Sequence, residues 1–420
     1  MHWILLLLWI NALSFAISFG AALLLLQMTA RKWRQTVGVH WSERARLAYT
    51  PGITVLWLAV GLPATAGLIG DVTLGALAPQ LPGGNLALTT NWLAAFAGIM
   101  VVRYLWLREL WGARVTLRSW LAGCLVVLFI LIPSLVVTGL LISVLPMKFN
   151  MQAVGIFCAA VVVVTFFLFG GGILILRALG IVKPAPPSLT GMVQQLAVQM
   201  NVRGPVKVFV LEWAQVNAVA WPVYRAVGFS RALVEVMDED EVRAVAAHEL
   251  AHLLEPAWVR RIKIAHMFAY LPIVLLMKYG GLWSIPIGGF LFLAITLGYI
   301  RFTHRYEKRA DHLENEAIGD PNAYMRSMIK LHQANVHPAV MPGKQTHPHL
   351  YDRLLAAGIQ PDFPRPLPPS RKTPLLTVLA TTIAVAILMF AAVIATGVVL
   401  RLARITFSGV KENPATQSAR

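Results

Sequence analysis

Two histidines four residues apart, with a glutamate directly after the first, stand in VAAHELAHLLEP, residues 245–256. On a helix, His248 and His252 project from one face, one turn apart. That spacing lets two imidazoles bind one zinc ion, with Glu249 beside the bound water as general base. The competing reading is a pair of partly buried structural histidines. A zinc site needs a third protein ligand and an open position. Glu255 is the nearest acid, three residues after His252. Three ligands from consecutive turns of one straight helix do not surround an ion tetrahedrally, so the third is sought elsewhere. The stretch THRYEKRADHLENEA, residues 303–317, reads as a helix with Glu307 and Asp311 on one face. Glu307 is the expected third ligand, for one Zn2+ per chain. Asp311 can accept a hydrogen bond from the second nitrogen of a ligand histidine and so fix its tautomer. A third stretch, THPHLYDRLLAAG (346–358), carries His347 and Arg353. A histidine or arginine beside the metal can stabilise the oxyanion of a tetrahedral intermediate.

The elements that must position these residues lie in an apolar chain. Of 420 residues, 57% are hydrophobic and 13% charged, against about 25% charged in a soluble domain. The chain is therefore expected to be a polytopic membrane protein whose first partner is the lipid bilayer. The net charge of +17 sits beside apolar runs, which points to bilayer orientation. No Lys/Arg stripe interleaved with aromatics suggests a nucleic-acid partner. Cys124 and Cys158 lie inside apolar runs and imply neither a disulfide framework nor a thiolate metal site.

A hydrocarbon core takes about 20 apolar residues as helix. The runs of that kind are Trp3–Met28, Ile53–Ile69, Trp92–Leu107, Trp120–Leu145, Met151–Leu176 and Pro374–Leu400. The first lacks a basic leader and a clear cleavage site and is expected to be retained. Residues 264–300 read as a hairpin of two arms about KYGGLW, which keeps 177–262 and 301–372 on one side of the membrane. Fifteen of the nineteen acids fall in those two segments, so they are expected to be the water-exposed parts. The organisation expected is thus a membrane domain at 1–176, catalytic parts at 177–262 and 301–372, a hairpin at 263–300, a last span at 373–400 and a tail at 401–420. Basic loops after the first and third runs place the catalytic parts on the cytoplasmic side, in an inner or plasma membrane. KPAPPS (183–188) reads as a stiff linker whose serine caps a helix over 189–201. Strand-like pieces follow at 206–212, 217–221 and 224–233. The acids at 238–241 open the helix that carries the two histidines.

Taken together, HELAH, EKRAD and HPHLYDR, with VNAVAW upstream, resemble the integral-membrane zinc metallopeptidases of the HtpX and CAAX prenyl protease (Ste-type) superfamily. The resemblance covers roughly residues 189–358. It implies an α-helical polytopic membrane protein with an inserted, mostly α-helical α+β zincin domain of the gluzincin type. His248, His252 and Glu307 would bind zinc and Glu249 would be the base. Asp311 would orient a zinc histidine, His347 would steady the transition state, and Arg353 matches the motif arginine. The strand Asn217, Ala218, Val219 and Ala220 would pair with an extended protein or peptide substrate. One departure is His304, where HtpX-type proteins commonly carry arginine.

The function expected is a membrane-bound zinc endopeptidase acting on membrane-associated or misfolded proteins. Within the enzyme class the alternative is prenyl-peptide processing. Outside it stand a metal-holding signalling sensor or scaffold and a transporter. The transporter ranks last, because most apolar runs lack an ionisable residue. The sequence specifies no oligomeric state and no natural substrate.

Overall fold

The structure is a computed structural model and describes residues 2–77, 84–146, 148–319, 321–342, 349–370 and 372–409. In chain order the first helices are α1 (His2–Thr29), α2 (Arg31–Arg34), α3 (Trp41–Leu77), α4 (Gly84–Trp111), α5 (Leu117–Val126), α6 (Pro133–Val144), α7 (Met151–Leu168) and α8 (Gly171–Ala178). Strand β1 (Val182–Pro184), helix α9 (Pro187–Gln199), strands β2 (Lys207–Leu211), β3 (Ala218–Trp221) and β4 (Ala226–Ser230), and helices α10 (Arg231–Val236) and α11 (Glu239–Leu253) follow. The chain continues through α12 (Ala257–Tyr279), α13 (Ser284–Ile318), α14 (Pro321–Asn335), α15 (Leu350–Ala356) and α16 (Lys372–Gly409). It divides into two compact units. The first takes residues 1–35, 50–106 and 370–420, and the second takes 36–49 and 107–369. The boundary expected at 176/177 does not coincide with this division.

Among the described residues, six helices are long and apolar enough to cross a membrane, and up to seven if the bent pair in 90–131 counts as one span. With this many apolar helices the chain is an integral membrane protein. The fourth apolar run, expected as one span over 120–145, is broken. Its helix α5 passes into a π turn over Val127–Leu131, and Ile132 leaves the helical region at φ −129°, ψ 31°. Pro133 is the cause: it has no N–H to donate, and its ring pushes the preceding residue out of the α region. The fifth run also stops short of its expected end. Helix α7 ends at Leu168, and Gly170 turns the chain at φ +92° before α8 begins.

The hairpin is formed by α12 and α13. The first arm starts ahead of the apolar stretch: α12 is 23 residues, with Pro272 inside it. Helix α13 runs without interruption for 35 residues, from the apolar SIPIGGFLFLAITL through EKRAD. The rings of Trp258, Phe302 and Tyr306 pack on one another at 5.0–6.0 Å. Trp and Tyr are enriched where membrane helices meet the water interface. Glu307 lies five residues beyond Phe302, about 7.5 Å further along the helix.

Four strands form one sheet in the order β1-β2-β4-β3. Strand β2 pairs parallel with β4, and β3 pairs antiparallel with β4. The strand expectations hold in place, with tighter bounds. Strand β1, inside the expected linker, and the turn of helix α10 after β4 were missed. Pro186 rather than Ser188 caps α9. The pleat sorts side chains to two faces. Val208, Val227 and Phe229 join Val193 and Leu196 of α9 and Val245, Ala246 and Leu250 of α11 in one core. Phe209, Leu211 and Ala226 join Ala122 and Val126 of α5 and Ile173 and Leu176 of α8 in another. Strand β4 is therefore buried along its whole length. Strand β3 stays half-buried at the free edge.

Helix α11 begins with a capping box: the Asp238 side chain takes the Glu241 N–H and the Glu241 side chain takes the Asp238 N–H. Lys330 of α14 reaches both carboxylates at 2.8 Å. One face of α11 is thus held on the sheet and its start is tied to α14. The remaining face, with both histidines, turns toward α13.

Candidate metal centre and cleft

Helix spacing and the α11–α13 packing bring three side chains to one point. His248 Nε2 lies 3.5 Å and His252 Nε2 3.7 Å from the same oxygen, Glu307 Oε2. One ligand atom from each of the three lies within 4.8 Å of the others. Ligands about 2.1 Å from a tetrahedral ion stand about 3.4 Å apart. The observed separations fit that spacing, and two imidazoles with one carboxylate are a donor set zinc accepts. The side chains are 7%, 12% and 12% exposed for His248, His252 and Glu307, so bulk water competes little for the same lone pairs.

Each histidine is anchored through its other nitrogen. His248 Nδ1 is 3.1 Å from Asp311 Oδ1 and 2.8 Å from the Tyr324 hydroxyl. Arg353 donates from Nη2 to Asp311 Oδ1 at 2.6 Å and to the Tyr324 hydroxyl at 2.9 Å. The Tyr324 ring also stacks on His248 at 5.4 Å. On the other side, His252 Nδ1 is 3.0 Å from Glu255 Oε1, which also accepts from Lys263 Nζ at 2.6 Å. With these partners on Nδ1 of both rings, both Nε2 atoms face Glu307. Such partners fix ring orientation and raise ligand basicity.

The electrostatics favour a cation. Burial alone would lower the pKa of His252, yet hydrogen bonds to Glu255 and Glu307 raise it to about 10. Burial likewise works against protonated His248, but Asp311 and Glu307 raise it. Burial would raise Glu255, and its bonds to His252 and Lys263 hold it below the usual carboxylate range. The carboxylates around the two rings thus pull positive charge, a proton or a metal ion, into a site that otherwise disfavours charge.

The three side chains open on a cleft of about 720 Å³, which Glu249 also lines. Its opposite wall is the run Asn217–Ala220 at the edge of the sheet. Ser230 donates its N–H to the Asn217 carbonyl. By the alternation of an antiparallel ladder, Val219 and Trp221 turn their backbone groups to β4 as well. The backbone groups of Ala218 and Ala220 are left at the free edge, facing the cleft.

The expected site residues are placed as follows. His248, His252, Glu307, Glu249 and the 217–220 strand line one cleft, and Asp311 stands behind His248. Arg353 also lines the cleft; its Nη2 is engaged by Asp311 and Tyr324, and burial is outweighed by these neighbours, which raise its pKa further. It braces Asp311 behind His248. His347 lies outside the described residues; His349, two residues on, lines the cleft and takes the Met341 N–H on Nδ1 at 3.2 Å. Sequence reasoning missed Tyr324, His332 and His337 as part of the cleft. It also passed over Glu255, having tested it as a ligand and not as the partner of one. The signal was present, since i+3 on a helix is within reach.

Residues 186–358 match the family model described as Peptidase family M48. The M48 segment holds every side chain of the metal centre described above. Among curated proteins, a Protease HtpX homolog of Trichormus variabilis is 26% identical over 192 residues, 40% of this chain and 66% of the relative. One of Nostoc sp. is 24% identical over 192 residues with the same coverage, 40% and 66%. A third, of Aquifex aeolicus, is 37% identical over 70 residues, 16% of this chain and 23% of the relative. The chain thus spans just under two thirds of the length of the two relatives it matches over 192 residues, and its M48 segment is flanked by helices outside the family match.

Proposed function

We propose that this chain is a membrane-bound zinc endopeptidase that cleaves extended segments of membrane-associated or misfolded proteins on the cytoplasmic side. The observation that carries the reading is the convergence of both Nε2 atoms on Glu307 Oε2, beside Glu249 and a free strand edge in one cleft. The match of residues 186–358 to the M48 family model and the similarity to HtpX homologs support it.

His248, His252 and Glu307 would hold the ion. When bound, zinc supplies a Lewis acid that brings water near pKa 7 and polarises a carbonyl. Glu249 takes the proton of the attacking water and returns it to the leaving amine. His347 donates to the oxyanion that forms on the scissile carbonyl. Asp311 and Glu255 keep the two imidazoles in the tautomer that presents Nε2. The backbone of Ala218 and Ala220 pairs with the substrate as an added strand and holds it extended along the cleft.

The test is a cleavage screen of membrane-proteome peptides with wild type and Glu249→Gln at equal zinc loading. Products that appear only with wild type support the reading. Identical product sets contradict it.

A further inference from the structure

A second cavity, of about 260 Å³, adjoins the cleft. Leu131, Ala220, Pro222, Lys263 and Tyr299 line both. The cavity owes its existence to the break in the fourth apolar run. The π turn and Ile132–Leu135 form one wall, and Phe167–Ile173 form a second. Gly172 makes that closeness possible, since a Cβ there would run into the Phe129 carbonyl. The walls are largely apolar, with Phe129, Ile132, Phe167, Ile264 and Met267 among them, and the cations Arg260 and Lys263 stand on α12. The segments 129–135 and 167–173 lie outside the family-matched residues 186–358. They wall a cavity that opens on the family's cleft.

We propose that this cavity is a specificity subsite that takes one large apolar side chain of the substrate, on the side of the cleft where β3 ends. The inference rests on the endopeptidase reading above. Three observations carry it. Strand β3 runs out of the cleft and into the cavity wall: Asn217–Ala220 line the first, Ala220 and Trp221 the second. A substrate strand laid on that edge at about 3.3 Å per residue passes the cavity roughly two to four residues from the scissile bond. The volume is below the ~300–1,000 Å³ of pockets that hold a whole small ligand, and suits a single side chain. Its largely apolar walls let a large apolar side chain bury more surface than a small one. The helices preceding the M48 segment thereby set which substrates are cut.

The experiment uses the full chain in detergent. Glu249→Gln protein is incubated with extended peptides that carry the photo-crosslinker benzoylphenylalanine at successive positions, and the crosslinks are mapped by mass spectrometry. One position is expected to crosslink to 129–135 or Met267. Wild type is expected to cleave peptides with Phe at that position about tenfold or more better in kcat/KM than with Ala. Met267→Trp, which fills the cavity, lowers both the crosslink and the preference. If that variant does not accumulate, Ile132→Trp fills the cavity from the opposite wall and is read the same way. Crosslinks confined to other segments, or a preference unchanged in a filled variant of wild-type melting temperature, overturn the subsite. Absence of cleavage of every peptide by zinc-loaded wild type overturns instead the endopeptidase reading on which it rests.

Discussion

His252 Nδ1 lies 3.0 Å from Glu255 Oε1, and the same oxygen takes a hydrogen from Lys263 Nζ at 2.6 Å. The acid nearest in sequence to the paired histidines therefore serves one of them from behind. Lys263 belongs to α12, the first arm of the hairpin, so the orientation of a metal-facing ring is tied to a membrane helix.

Replacing Glu255 by glutamine keeps an acceptor for the ring and removes the charge. Zinc affinity, read by competition with a chelator, is expected to fall about 10–100-fold, the usual cost of losing an outer partner of a metal-bound histidine. Wild-type affinity in Glu255→Gln would show that the charge of Glu255 adds nothing to metal binding by the ring.

Glu307 contributes the one oxygen on which both Nε2 atoms converge. Glu307→Ala is expected to purify without zinc under conditions in which wild type carries one ion per chain. Metal content by elemental analysis decides it; stoichiometric zinc in the variant would move the third ligand elsewhere.

Arg353 holds Asp311 and the Tyr324 hydroxyl with a side chain only 9% exposed. Arg353→Met leaves Asp311 without that partner in a buried setting, a change that costs about 3–5 kcal/mol when one side of a buried pair is removed. The melting temperature is expected to fall, and zinc affinity with it, because Asp311 is then free to leave His248. A loss of activity with both unchanged would instead place the arginine on the substrate.

His332 of α14 lines the cleft and shares a hydrogen bond with the His337 carbonyl through Nδ1 at 3.3 Å. Burial, with the nearby His337 and Arg353 acting in the same direction, lowers its pKa from 6.5 to about 3. Between those values the unfolded chain binds the proton and the folded chain does not, so this group makes stability fall as pH drops below about 6.5. Above that pH it contributes no slope. His332→Gln is expected to flatten the acid side of the melting-temperature profile, measured from pH 7 to pH 4. An unchanged slope would mean that His332 titrates normally.

The centre was legible in the sequence to the extent that helical periodicity carries it. Four-residue spacing put His248 with His252 and Glu307 with Asp311, and the two-armed hairpin argued that both pairs share a side. The anchoring of the site was not legible, because Tyr324 and Arg353 reach it from helices whose docking no local pattern encodes. Glu255 was rightly set aside as a ligand, but its place behind His252 went unread because only its geometry as a ligand was considered. The same limit applies to the membrane runs. Composition located the apolar segments, but Pro133 and the glycines at 170–172 cut two of them, and hydropathy averages over such breaks. Those breaks let α5 and α8 cover the second face of the sheet and open the cavity beside the cleft.

The central claim, hydrolysis by a zinc centre with Glu249 as base, is tested most directly by Glu249→Gln. Zinc content and peptide cleavage are measured on the same preparation. One zinc per chain with cleavage abolished is the predicted result. Undiminished cleavage by the zinc-loaded variant would contradict the account.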